Sequence, residues 1–157
     1  MVWLRPGPPC ISEGERWTKG RTLKASIVPD QKSGLIVNVS FWAAQKFMGN
    51  VAYGVAKAAT DKMSSDLAEQ LREHGIAVVS LYPGLVRTED TQRNAQHFDM
   101  SNSESMEFQG RAVAALSADP DILQKSGKVA VTAELAMEYG FTDLDGYLPR
   151  PLTLETA

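Results

Sequence analysis

The chain has 157 residues, 43% of them hydrophobic and 22% charged, which suits one packed domain and excludes global disorder. Its formal net charge is −3 and it has no dense basic block, so it does not read as a nucleic-acid-binding protein. A single cysteine, Cys10, rules out an internal disulfide and any multi-cysteine metal site.

No apolar run approaches the roughly 20 residues of a membrane helix. Met1–Cys10 carries Arg5, Pro6, Pro8 and Pro9 where a secretory signal would carry an apolar core. The predicted location is cytoplasmic.

Residues 1–33 read as an irregular N-terminal segment, broken by prolines and by Gly14 and Gly20, with a short helix over Arg21–Val28 that Pro29 ends. Leu35–Ser40 is a β-branched apolar run entered through Ser33-Gly34, the pattern of a strand buried on both faces of a parallel sheet. A helix is predicted from Val51 to His74, with Ala56, Ala59, Met63, Leu67 and Leu71 as its apolar stripe and Gly75 as its C-cap glycine. Ile76–Leu81 is a second buried strand, closed by Pro83-Gly84, so strand, helix and strand follow the order of a βαβ unit. Residues 88–104 are polar and turn-rich. Ser101-Asn102-Ser103-Glu104 has capping-box spacing and opens a helix through Leu116, which Asp119-Pro120 stops. Val129 and Val131 alternate within a short edge strand over Lys128–Thr132, Asp143–Gly146 is a turn, and the tail after Pro149 is predicted to be mobile.

Tyr53 and Lys57 stand at i and i+4, on one face of the first turns of the long helix. A free phenol has a pKa of about 10, and a neighbouring ammonium favours phenolate, bringing the group closer to a working acid or base. A solvated Tyr–Lys pair has the same spacing. Ser40 ends its strand, and open α/β sheets bind ligands at the carboxyl ends of strands, where a hydroxyl can meet a developing alkoxide. A helix cap or plain strand-end serine also fits. Pro83-Gly84-Leu85-Val86-Arg87-Thr88 opens onto the same edge and is otherwise an ordinary strand-ending turn.

In order and spacing, Gly34–Ser40, Tyr53-x-x-x-Lys57, the long helix and a strand ending in Pro83-Gly84 with Thr88 resemble the short-chain dehydrogenase/reductases, continuously from Ser33 to Gly146. The stretches 53–62, 126–129 and 139–146 read like one group within that family. The resemblance implies an α/β fold, namely the C-terminal half of a Rossmann-like doubly wound parallel sheet with three predominantly parallel strands. It divides the chain into the segment 1–33, a partial catalytic domain over 34–149 and a tail over 150–157. It also implies hydride transfer between NAD or NADP and a small carbonyl or alcohol substrate. Tyr53 would be the acid/base. Lys57 would lower its pKa and hold the nicotinamide ribose, and Ser40 would orient the carbonyl. Pro83 and Gly84 would line the nicotinamide pocket, and Thr88 would contact the cofactor. A homodimer through the Tyr53–Lys57 helix is a further implication.

The chain departs from the family pattern in lacking a glycine-rich TGxxxGxG loop, the Asn-Asn-Ala-Gly stretch and the asparagine that precedes the serine by almost thirty residues. The adenine and pyrophosphate half of the cofactor site is therefore not expected in it, and the sheet edge where that half belongs is expected to be open. The competing reading is a catalytically inactive fragment or shortened form that acts only by association with partners; a third is an incomplete gene model whose protein has roughly a hundred further residues upstream.

Other residues carry plainer alternatives. Trp42 is either a pocket wall or a packed loop aromatic, and Met100, Met106 and Phe108 are either a lid or ordinary packing. His74 suits a helix C-terminus, and His97 has no ligand spacing around it.

Overall fold

The computed structural model describes Val2–Trp3 and residues 33–157. Cys10 and the predicted helix over Arg21–Val28 lie outside the described residues. Strand β2 (Gly34–Val39) runs parallel to β3 (Ile76–Tyr82), and β3 runs parallel to β4 (Val129–Val131). This is the predicted parallel three-stranded arrangement. A two-residue strand, β1 (Val2–Trp3), adds antiparallel to the outer edge of β2, pairing Val2 with Val37 and Trp3 with Ile36. The edge expected to be open is thus paired over those residues, and the sheet order is β1-β2-β3-β4.

The remaining elements are helices α1 (Val51–Leu71), α2 (Glu89–Arg93), α3 (Met106–Ala118) and α4 (Thr132–Tyr139), with single 3₁₀ turns between them. Every residue of β3 is buried, as its unbroken apolar run requires for a central strand covered on both faces. Val37, Val79 and Leu81 meet Ala112 and Leu116 of α3 and Leu135 of α4 in one apolar cluster. The opposite face of the sheet carries Asn38, whose side-chain amide donates to Ser64 Oγ of α1 at 2.9 Å. One strand-residue step separates Val37 from Asn38, so helices pack on both faces, as in a doubly wound sheet.

Helix α1 starts where Asn50 caps it, its side-chain oxygen accepting from Tyr53 N at 3.1 Å. It ends through a 3₁₀ turn at Gly75, left-handed at φ 68°, where the sequence placed the C-cap. Its buried line differs from the predicted stripe. Ser64 and Ala68 are buried, with Gly54, Lys57, Asp61 and Leu67 half-buried, whereas Ala56, Ala59 and Met63 face outward. The cause is close approach. A Cβ on Gly54 would stand 3.1 Å from the Ala43 carbonyl oxygen, and the Cβ of Ala68 lies 3.2 Å from where a Cβ on Gly127 would be. Small side chains win at such a contact regardless of hydropathy.

Three further expectations are corrected. Ser105, not Ser101, caps the next helix, its Oγ accepting from Phe108 N at 3.0 Å, while Ser101 lies in a separate 3₁₀ turn. The edge strand stops at Val131, and Thr132, expected to end it, instead opens α4. The tail is held: Asn102 bonds both the N–H and the carbonyl of Arg150, and Lys46 Nζ donates to the Leu154 carbonyl at 3.1 Å.

One buried acid ties the C-terminal third together. Asp143 accepts from Ser105 N and Oγ, from Leu144 N at 2.7 Å and from Arg87 Nη2 at 3.0 Å. Burial favours its neutral form, yet the bonds from Ser105 and Leu144 together with the Arg87 charge outweigh that and hold the carboxyl below its ordinary range. Asp143→Ala leaves buried N–H groups without acceptors and is expected to destabilise the chain by about 3–5 kcal/mol. Asp66→Ala removes only an exposed partner of Lys62, spaced i,i+4, and is expected to cost under about 0.5 kcal/mol. Urea unfolding of the two variants measures the contrast.

Candidate active site

The parallel strands place their carboxyl ends at one edge of the sheet, and the chain leaves β2 there through Ser40. Ser40 N donates to the Leu81 carbonyl at 2.9 Å, so the turn out of β2 is pinned to β3. Ser40 is 1% exposed, and its hydroxyl donates to the Lys57 carbonyl at 3.2 Å. The Lys57 side chain returns the contact, its ammonium donating to the Val39 carbonyl at 3.2 Å. Strand end and helix are thereby latched in both directions. The same ammonium stands over the Tyr53 ring, 5.6 Å from its centroid.

Lys57 therefore contacts Ser40 through its backbone carbonyl and Tyr53 through its ammonium, and among the described residues no hydrogen bond joins Ser40 to Tyr53. The Tyr53 side chain remains open to solvent, the residue being 42% exposed. Partial burial pushes its phenol above the ordinary range, opposite to the lowering implied for it.

The Pro83–Thr88 stretch leaves β3 at the same edge. Pro83 is half-buried and Gly84 is buried. The Gly84 N–H donates to Glu104 Oε2 at 2.8 Å. Thr88 caps α2, its hydroxyl accepting from Thr91 N at 3.2 Å.

Beneath Ser40 lies a polar cluster that the sequence reading did not identify. The fully buried Tyr82 donates its phenolic proton to Asp61 Oδ2 and accepts from Gln45 Nε2 at 3.3 Å. Trp42, half-buried in a 3₁₀ turn, packs edge-on against Tyr82 with ring centroids 5.1 Å apart. Among the described residues its indole N–H and Asp61 Oδ1, both buried atoms, have no hydrogen-bond partner. Asp61 stands four residues past Lys57 and eight past Tyr53, and that spacing on one helical face was the available signal. Tyr82 and Gln45 had none. Phe108 is fully buried against Phe141, and Met106 is exposed, so those two do not form one lid. His74 lies in the 3₁₀ turn that ends α1, beside Glu73, and His97 is exposed. Among the described residues no cluster could hold a metal ion and no helix is long and apolar enough to cross a membrane.

The sequence over residues 20–99 matches the family model described as short chain dehydrogenase. The chain belongs to the short-chain dehydrogenase family. It is similar to dehydrogenase/reductase SDR family member 1 of mouse, 45% identical over 133 residues, covering 76% of this chain and 42% of the mouse protein. The human protein of the same name is 41% identical over 126 residues, covering 72% of this chain and 40% of that protein. The chain thus spans about two-fifths of the length of these curated relatives. Among solved structures, the TT0495 protein of Thermus thermophilus superposes with a TM-score of 0.54 at 25% identity, over 64% of this chain and 47% of that one. The angucycline C-6 ketoreductase LanV, solved with bound NADP, shares the fold at a TM-score of 0.56 and 22% identity, over 65% and 43% of the two chains.

Burial, and then the bond to Asp61, push the Tyr82 phenol up to about 12. A folded-state pKa above the unfolded value of about 10 means that the stabilisation is complete below pH 10 and lost as pH rises through 12. Tyr82→Phe lacks this contribution at every pH. The stability gap between it and the unmodified chain is therefore expected to close between pH 10 and 12 in urea titrations.

Proposed function

We propose that the full-length protein is an oxidoreductase that moves a hydride between NAD or NADP and a small carbonyl or alcohol substrate at the carboxyl end of β2. The observation that carries this reading is the Ser40–Lys57–Tyr53 arrangement, in which an ammonium latched to the strand end stands over a solvent-open phenol.

The residues fit the nicotinamide end of the cofactor. An ammonium has three N–H donors. Among the described residues one of those on Lys57 is spent on the Val39 carbonyl, leaving the others for ribose hydroxyls. Pro83, Gly84 and Thr88 border the same edge and would line the nicotinamide. The Gly84 N–H is already given to Glu104, so that turn would offer its surface and not this donor. When bound, the cofactor supplies or accepts the hydride at its nicotinamide ring.

The protein's own part is proton control. In reduction Tyr53 gives its phenolic proton to the oxygen that becomes an alkoxide, and in oxidation it takes that proton back. The Lys57 ammonium over the ring stabilises the phenolate left behind. Ser40 orients the carbonyl by turning its hydroxyl off the Lys57 carbonyl, a bond that at 3.2 Å is already long for a hydroxyl donor.

The outward face of α1, where Val51, Val55 and Met63 are exposed, supports a second copy of the chain as partner. A cytoplasmic location accords with the reading.

In the full-length protein Tyr53→Phe is expected to lower kcat by at least about 10³-fold while changing cofactor affinity less than about threefold, since it removes the proton and little else. Lys57→Met is expected to weaken both. Steady-state kinetics with nicotinamide fluorescence titration check this, and wild-type turnover by the Phe variant at saturating substrate would remove Tyr53 from the mechanism.

A further inference from the structure

We infer that Glu104 is a positioning residue that clamps the Pro83–Gly84 turn at the nicotinamide end of the site. The inference rests on the oxidoreductase reading and adds to it a residue outside the family motifs.

Glu104 is 2% exposed, a rare place for a carboxylate unless it is held. Its Oε2 accepts both the Gly84 N–H at 2.8 Å and the Gln109 side-chain amide at 2.5 Å. The other carboxylate oxygen lies 2.6 Å from where a Cβ on Gly84 would stand, so only glycine permits this seat. The clamp continues on the far side of the turn. Gln109 Oε1 accepts from Thr132 Oγ1 at 2.6 Å, and that hydroxyl lies 3.3 Å from the Tyr82 carbonyl, directly before Pro83. Backbone pairing fixes Glu104 itself: its N–H donates to the Leu85 carbonyl and its carbonyl accepts from Arg87 N, both at 2.8 Å. Residues 84–87 are thus held by one buried acid, through its side chain at Gly84 and its backbone at Leu85 and Arg87, and Gln109 on α3 ties that acid to the start of α4.

The buried Gly84 N–H needs an acceptor, and no motif requires that acceptor to be a carboxylate. A buried, doubly hydrogen-bonded acid fixes the turn at one position. A displacement of about 1 Å at a reacting centre can cost on the order of 100-fold in rate. Dinucleotide affinity comes mostly from the pyrophosphate half. Loosening the clamp should therefore act on kcat and spare the cofactor KM.

The test compares Glu104→Ala, Glu104→Gln and Gly84→Ala in the full-length protein, with amide hydrogen exchange at residue 84 and steady-state kinetics with NADH and NADPH. Glu104→Ala is expected to abolish protection of the residue-84 amide and to lower kcat at least tenfold, with cofactor KM within about threefold. Glu104→Gln is expected to stay within about twofold of wild type in both readouts, because one amide oxygen can accept both bonds now made to Oε2. Gly84→Ala drives a methyl into the carboxylate and is expected to reproduce the Glu104→Ala kinetics, which keeps the test decisive if Glu104→Ala does not fold.

Wild-type kcat in Glu104→Ala or Gly84→Ala would overturn the clamp, as would equal damage from Glu104→Gln and Glu104→Ala. If the wild-type protein turns over no carbonyl or alcohol with either cofactor, the oxidoreductase reading falls. The exchange data then decide separately whether Glu104 holds the turn.

Discussion

The site depends on one pair of contacts between the end of β2 and the first turns of α1. The Ser40 hydroxyl reaches the Lys57 carbonyl, and the Lys57 ammonium reaches back to the Val39 carbonyl. Neither is strong alone; a buried or half-buried hydrogen bond contributes on the order of 1 kcal/mol net. Together they set the height and rotation of the helix over the sheet edge, and the position of Tyr53, one turn earlier, follows from that. The same latch needs the close seat made by Gly54 over the Ala43 carbonyl and by the Asn38–Ser64 bond, which bring α1 near enough for a lysine side chain to reach a strand-end carbonyl.

Two inward-turned acids, one half-buried and one buried, extend this logic to either side of the site. Asp61 receives the Tyr82 phenol below Ser40, and Glu104 receives the Gly84 amide beside it. Burial drives the Glu104 carboxyl upward, against the lowering by the Gly84 and Gln109 donors. Such groups are costly to bury, so an apolar surround with a plain turn would be the cheaper way merely to stabilise the fold. Their positions next to the two strand ends that carry the family's motifs fit the oxidoreductase reading, because reacting groups need fixed geometry more than they need extra stability.

The legible parts were those where one physical signal acts alone. An unbroken β-branched run marked β2 and β3, a glycine after the last helical turn marked the end of α1, and the spacing Tyr53–Lys57 put both side chains on one face. The illegible parts were those where tertiary contact overrides local pattern. Of the predicted apolar stripe of α1, Leu67 and Leu71 are half-buried but Ala56, Ala59 and Met63 face outward, because the sheet selects small residues and buries Ser64 and Ala68. Ser101 has capping-box spacing to Glu104, yet Glu104 turns inward to Gly84 and leaves the cap to Ser105. Helix α4 follows β4 directly, with only Gly140, at φ 73°, marking its end. For Gln45, Tyr82 and Asp143 the sequence holds no periodic or motif signal, because their partners lie 37, 21 and 38 residues away.

The most direct test of the account is a crystal structure of the full-length protein with NADH or NADPH and a non-reacting alcohol or ketone. The account predicts Lys57 Nζ within hydrogen-bond distance of the nicotinamide ribose hydroxyls, and the Tyr53 hydroxyl within about 3 Å of the ligand oxygen. A cofactor whose nicotinamide lies away from the carboxyl end of β2, or a ligand oxygen out of reach of Tyr53, would contradict it.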